Sequence, residues 1–219
     1  MRDQVAELDF AAMRAAMVSN QLRTTAVNDA RVVDAMRIVP REAFVPVDQA
    51  PFAYADRAVP LAGGRKLNLP MATGRMLTEA LTRPQDRALV IGAASGYSAA
   101  LLSLLVGSVV ALEEDDALPA LARVAPAANV TPVSGPLNAG WADGAPYDLI
   151  LIDGVVEAIP QAIVAQLADG GRLVAGLSDR GVGRLVLGRR AGGGFGTVAF
   201  ADAEGVGLPG FAKPVAFSF

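Results

Sequence analysis

Ala88-Leu89-Val90-Ile91-Gly92-Ala93-Ala94-Ser95-Gly96-Tyr97 decides the fold. A short apolar run stops at a glycine, a second glycine follows, and an Ala/Leu segment continues to Leu105. That pattern reads as a strand buried on both faces, a tight turn, and a helix. Glycine lets such a turn fold tightly and lets a ligand approach its backbone, and the start of the next helix presents free N–H groups. Residues 88–112 carry no charge, a stretch long enough to cross a bilayer. The breaks at Gly92–Gly96 and Gly107-Ser108 favour a buried strand-turn-helix-turn-strand unit instead. Its second strand, Ser108–Leu112, runs into Glu113, about 20 residues beyond the glycine turn. A carboxylate there accepts hydrogen bonds from both ribose hydroxyls of a nucleoside. A plain βα turn would also use Gly92 and Gly96, with Glu113 opening a solvated loop with Glu114, Asp115 and Asp116; the spacing favours the nucleoside.

Strand and helix patterns alternate downstream. Strands are expected at Asn129–Val133, Tyr147–Ile152, Gly171–Gly176, Arg184–Gly188, Phe195–Ala201 and Pro214–Phe219. Helices are expected around Ala117–Val124 and at Ile159–Leu167. This alternation predicts an α/β fold, a doubly wound and mostly parallel sheet. Upstream, residues 1–85 read as a helical N-terminal extension. Phe10, Met13, Met17 and Val18 recur at helical spacing. Asn28 is the expected N-cap of a second helix, with Val32, Val33, Met36 and Val39 on one face and Pro40 at its end. A proline-rich loop follows to Pro60, then Gly63-Gly64-Arg65-Lys66-Leu67-Asn68-Leu69-Pro70, then a third helix over Ala72–Leu81. We read 1–219 as one domain, the extension packed on an α/β core over 86–219.

Composition narrows the chemistry. Of 219 residues, 53% are hydrophobic and 19% charged, which suits a folded core rather than disorder. Cys and His are both absent. This excludes disulfides, thiol nucleophiles, His-based triads and Cys/His metal sites, so no metal is expected. A net charge of −3 argues against nucleic acid as a partner. The 19 basic residues are all Arg except Lys66 and Lys213. The first residues are polar with no apolar run behind them, so the expected location is cytoplasmic, with no membrane partner.

A phosphate-gripping loop would need Gly-Lys-Ser/Thr, which is missing. A nicotinamide-dependent reductase would prefer Gly-x-Gly-x-x-Gly, and in a short-chain type Tyr-x-x-x-Lys. Here the residues four beyond Tyr54, Tyr97 and Tyr147 are Ala58, Leu101 and Leu151. S-adenosylmethionine carries no phosphate and suits a turn without a cation.

The chain resembles the protein-L-isoaspartate O-methyltransferase family from about Met17 to Val174. The resemblance rests on Asn20-Gln21-Leu22-Arg23, on Arg31 to Pro46 with its Val39-Pro40-Arg41 and Phe44-Val45-Pro46, on Ala53 to Leu61, on Ser95 to Ala100, and on Gly170 to Val174. It implies a Rossmann-like class I methyltransferase sheet, S-adenosylmethionine as cofactor, and methylation of the free α-carboxylate of isoaspartyl residues in damaged proteins or peptides. A carboxylate is already ionised, so the reaction needs no general base and runs on positioning and electrostatics.

Several positions depart from the family pattern. The family has Thr-Ile-Ser where this chain has Lys66-Leu67-Asn68, and the Ser hydroxyl helps to hold the substrate carboxylate. Asn68 can still donate to a carboxylate and Lys66 can attract one, so these two are the candidate catalytic residues. Both also suit a turn with a solvated charge. The family's Glu-x-Gly-x-Gly-Ser-Gly turn has Val90 in place of its acid and Ala94 in place of its middle glycine. A methyl group at Ala94 is strained if that residue takes positive φ. Pro136 stands where the family has an Asp on the adenine side. Asp153, after the fourth strand, either compensates for that loss or forms an Asp-Gly turn with Gly154. The candidate cofactor residues are therefore Gly92, Ala94, Ser95, Gly96, Glu113, Pro136 and Asp153. The rival reading of these departures is a catalytically inactive homologue that keeps the fold as a binding module.

Overall fold

The computed structural model describes residues 8–179, 182–202 and 206–212. Among the described residues the five α-helices are α1 (Phe10–Met17), α2 (Ala30–Ile38), α3 (Pro70–Glu79), α4 (Tyr97–Ser103) and α5 (Gln161–Ala165). A small antiparallel hairpin is built from β1 (Val59–Pro60) and β2 (Lys66–Leu67). The main sheet contains β3 (Arg87–Ile91), β4 (Ser108–Glu113), β5 (Val130–Ser134), β6 (Tyr147–Val156), β7 (Leu167–Asp179), β8 (Val182–Ala191) and β9 (Gly194–Asp202). Their spatial order is β5-β4-β3-β6-β7-β8-β9. The first five of these pair in parallel, and β8 and β9 add an antiparallel meander.

The chain moves outward from β3 to β5 on one side, then returns to build β6 and β7 on the other. The boundary between β3 and β6 is the switch point, where the strands' carboxyl ends leave a crevice. Successive side chains of a strand face opposite sides, so each central strand feeds two cores. Ala88, Val90, Leu149 and Leu151 pack with Met17, Leu22, Val32, Met36, Leu77 and Tyr97 on one face. Leu89, Ile91, Ile150 and Ile152 pack with Tyr147, Ile163, Leu208 and Phe211 on the other. The N-terminal helices thus share the hydrophobic core of the sheet. No helix among the described residues is long and apolar enough to cross a membrane.

Three local expectations are corrected. Asp29, not Asn28, caps α2, its carboxylate accepting from Arg31 N at 2.9 Å. The cap sits one residue later because burial of Val32, Val33 and Met36 fixes the helix register. The first helix, which the helical spacing predicts from Asp9 to about Arg23, leaves α-geometry after Met17 and continues as a π-turn, Val18–Leu22, and a 3₁₀ turn. The helix expected around Ala117–Val124 is only a 3₁₀ turn, Pro119–Leu121. Proline removes a helical donor, and this segment has Pro119 and Pro126 with little apolar periodicity between them. The strand expected at Pro214–Phe219 lies outside the described residues.

Candidate cofactor and substrate site

Glu113 ends β4 and is 3% exposed. Its Oε1 accepts from Glu114 N at 2.9 Å, and Oε2 accepts from Ala94 N at 2.7 Å. The acid and the glycine turn are therefore tied together at the switch point. In that turn Gly92 and Gly96 take φ of 76° and 92°, and Ala94 takes 49°. The methyl group of Ala94 is thus carried in the left-handed region that glycine occupies without cost. Ala94 is buried and lines a cavity. Ala94→Gly is expected to stabilise the protein by about 0.5 kcal/mol, up to about 1. A urea unfolding midpoint that falls rather than rises would contradict this.

Asp153 lies across the crevice in β6, 7% exposed. Burial raises its carboxyl above the usual carboxylate range, against the opposing pull of Ser98, Asn68 and the Arg41 and Arg65 charges. Asn68 Nδ2 donates to Asp153 Oδ1 at 2.7 Å and to its carbonyl at 3.1 Å. Asn68 Oδ1 accepts from Val206 N at 3.3 Å, and its carbonyl accepts from Arg41 Nη2. Asn68 and Asp153 are thus brought together, with the amide of Asn68 spent on internal partners. Ser95 is 2% exposed and its hydroxyl is buried without a hydrogen-bond partner among the described residues. Pro136 is exposed, opens the 3₁₀ turn Leu137–Ala139, and lines neither cavity described below.

Alternation along β2 sends Leu67 inward and Lys66 outward. Lys66 lines a basin of about 390 Å³ with Asp56, Arg57, Leu69, Val206 and Gly207. Lys66 therefore stands on the outer side of the hairpin, apart from the glycine turn. A larger, mostly apolar cavity of about 600 Å³ runs along α4 beneath the Pro119–Leu121 turn, and Ala94, Ser95, Gly96 and Glu113 form one end of its wall. It exists because no full helix covers that face between β4 and β5.

Two residues that sequence reading did not single out dominate the crevice. Arg65 grips Glu113 with both terminal nitrogens, Nη1 to Oε1 at 2.8 Å and Nη2 to Oε2 at 3.1 Å. Leu208 covers Gly92: a β-carbon there would lie 3.0 Å from both Leu208 methyl groups and 3.3 Å from Arg65 Nη2. The residue types around the crevice suit S-adenosylmethionine, since an acid faces a glycine turn and no phosphate-binding cation is required. Arg65 holds both oxygens of Glu113 and Leu208 covers the approach to Gly92, while Ala94, Ser95, Gly96 and Glu113 still face the larger cavity. The only signal for Arg65 was its place after Gly63-Gly64, a pair that forces a tight turn.

Comparison with known proteins agrees with this architecture. The family model described as protein-L-isoaspartate(D-aspartate) O-methyltransferase (PCMT) matches residues 12–198. A protein-L-isoaspartate O-methyltransferase of Koribacter versatilis is 38% identical over 84% of this chain and 85% of its own. One from Methylorubrum populi is 38% identical over 91% and 99%. Among solved structures, a Plasmodium falciparum protein of that description, in complex with S-adenosyl-L-homocysteine, shares the fold with a TM-score of 0.75 at 17% identity, over 92% of this chain and 99% of its own. Another protein-L-isoaspartate O-methyltransferase gives 0.75 at 21% identity, this chain spanning 66% of its length. The nicotinamide alternative finds no support in these matches. With its glycine turn, its acid at the end of β4 and its helical N-terminal segment all in place, the chain belongs to the protein-L-isoaspartate(D-aspartate) O-methyltransferase family.

Proposed function

We propose that this protein transfers a methyl group from S-adenosylmethionine to the free α-carboxylate of L-isoaspartyl residues in damaged proteins or peptides. The observation that carries the reading is Glu113 facing the Gly92–Gly96 turn at the switch point of a sheet from this family. S-adenosylmethionine, when bound, would supply a methyl group on a sulfonium: the ionised carboxylate oxygen would bond to the methyl carbon as the carbon–sulfur bond breaks, leaving the neutral thioether S-adenosylhomocysteine. Glu113, Gly92, Ser95 and Gly96 are the residues to hold it, with Asp153 on the far wall.

The substrate side follows from charge. Lys66 and Arg57 face solvent in one basin and attract a peptide carboxylate without a buried-charge cost. Asn68 stands directly behind that basin and positions Asp153. Lys66→Glu is expected to raise KM for an isoaspartyl peptide about tenfold, the size of a 1.4 kcal/mol loss, with kcat little changed. An unchanged KM would remove Lys66 from substrate binding.

A second reading, a non-catalytic homologue acting as a binding module, is favoured by one observation: the carboxylate of Glu113 is saturated by internal donors. Incubation with labelled S-adenosylmethionine and matched peptides decides between them. Base-labile label in the isoaspartyl peptide, and none in the aspartyl control, is the expected result. Label in neither, with the cofactor bound, would establish the binding module.

A further inference from the structure

A carboxylate presents about four acceptor positions. Those of Glu113 are all in use: Oε1 takes Arg65 Nη1, Glu114 N and, at 3.4 Å, Asp115 N, while Oε2 takes Arg65 Nη2 and Ala94 N. Arg65 Nη2 also reaches the carbonyl of Gly92 at 3.5 Å. A ribose diol needs the positions that Arg65 holds. Arg65 arrives on the hairpin of β1 and β2, whose tip is pressed on the end of β4: a β-carbon on Gly63 would sit 2.8 Å from Asp115 Oδ2.

Leu208 arrives from a separate segment, 206–212, laid along the end of β6. Val155 N donates to the Val206 carbonyl at 2.7 Å, and Leu208 N donates to the Val155 carbonyl at 3.0 Å. Asn138 Nδ2 donates to the Gly210 carbonyl at 3.0 Å, carrying the strap across to the far side of the crevice. The strap and the hairpin meet through Asn68 Oδ1 and Val206 N.

We propose that Arg65 and Leu208 form an internal plug that competes with the cofactor. The guanidinium occupies the place of the ribose hydroxyls and Leu208 covers the approach to Gly92. The cofactor then binds only those molecules in which the hairpin and strap have lifted. The closed state carries its own defect, because Arg65 Nε is buried without a hydrogen-bond partner among the described residues. An unmade buried bond narrows the gap between closed and open states, as a reversible plug requires. The lifted hairpin and strap would also join the crevice to the Lys66 basin, since Gly64, Val206 and Gly207 form part of its wall. This inference rests on S-adenosylmethionine being the cofactor.

Affinity for a site open only part of the time is reduced by the open fraction. Calorimetric titration of the full chain with S-adenosylhomocysteine therefore tests the plug in wild type, Arg65→Gln, Leu208→Ala and the double variant. Arg65→Gln is expected to bind about tenfold tighter or more, Leu208→Ala to gain less, and the double variant most. Equal or weaker binding by both single variants, with wild type binding well, overturns the plug and leaves the cofactor reading intact. No binding by any of the four proteins overturns both. If Arg65→Gln fails to fold, stopped-flow kinetics of wild type and Leu208→Ala carry the test. The wild-type association rate should level off with ligand at the opening rate, at a ceiling that Leu208→Ala raises. A wild-type rate that rises linearly throughout would overturn the plug.

Discussion

Replacing Arg41 by alanine is expected to remove about 4 kcal/mol or more of stability, lowering the urea midpoint by about 2 M. Arg41 is fully buried. Its Nε donates to the Ala53 carbonyl at 2.7 Å, its Nη2 to the Asn68 carbonyl, and its guanidinium lies 4.9 Å from the centre of the Tyr97 ring. One side chain thus joins the loop before β1, the segment after β2 and the first turn of α4. Alanine leaves two carbonyls without that donor at about 1–3 kcal/mol each, and adds a cavity. Arg41→Met keeps most of the stem volume and should recover part of the loss. A midpoint shift below about 0.5 M for Arg41→Ala would show that water replaces the guanidinium and that Arg41 is no keystone.

The second large effect is at Arg172, at the opposite end of the strands. Arg172 pairs with Asp86 Oδ2 and donates from Nε to the Ala80 carbonyl at 2.9 Å; the two ionic side chains are 2% and 3% exposed. Breaking a buried pair by removing one partner strands the other charge and costs about 3–5 kcal/mol. Arg172→Leu should therefore lower Tm by roughly 6–20 °C for a domain of this size. Adding Asp86→Asn to Arg172→Leu removes the stranded charge and should restore part of that loss, since Asn can still accept from Arg83 N, the bond Asp86 makes at 2.8 Å. If the single and double variants melt together, burial of the charge is not what the pair controls.

The central sheet was legible because its signals are local. Ala88 to Ile91 is apolar at every position, so it reads as a strand with both faces covered, and Gly92 marks its end. The β4 strand and its terminal Glu113 follow at the expected distance. Arg65 left no such mark. Its partner is far along the chain, and an arginine beside two glycines reads as a solvated turn until the hairpin is folded over β4. The apolar tail Leu208–Phe219 was equally ambiguous in the sequence, suiting an edge strand or a cover for a partner surface; its described part lies in the strap of residues 206–212 along the end of β6. Ala94 was the opposite case: its departure from glycine was visible in the sequence, and its positive φ gives that departure a physical cost. The missing helix before β5 was misread because Ala and Leu favour helix in isolation, while Pro119 and Pro126 leave only a short turn.

Glu113 and the glycine turn together form the nucleoside site on which the proposed reaction depends. Equilibrium dialysis of labelled S-adenosylmethionine against wild type and Glu113→Ala tests that most directly. One saturable site in the wild type, weakened by about tenfold or more in Glu113→Ala, where release of Arg65 offsets part of the loss of about 3 kcal/mol of charged hydrogen bonding, is the predicted result. Equal binding by the two proteins, or no saturable site in the wild type, would contradict it.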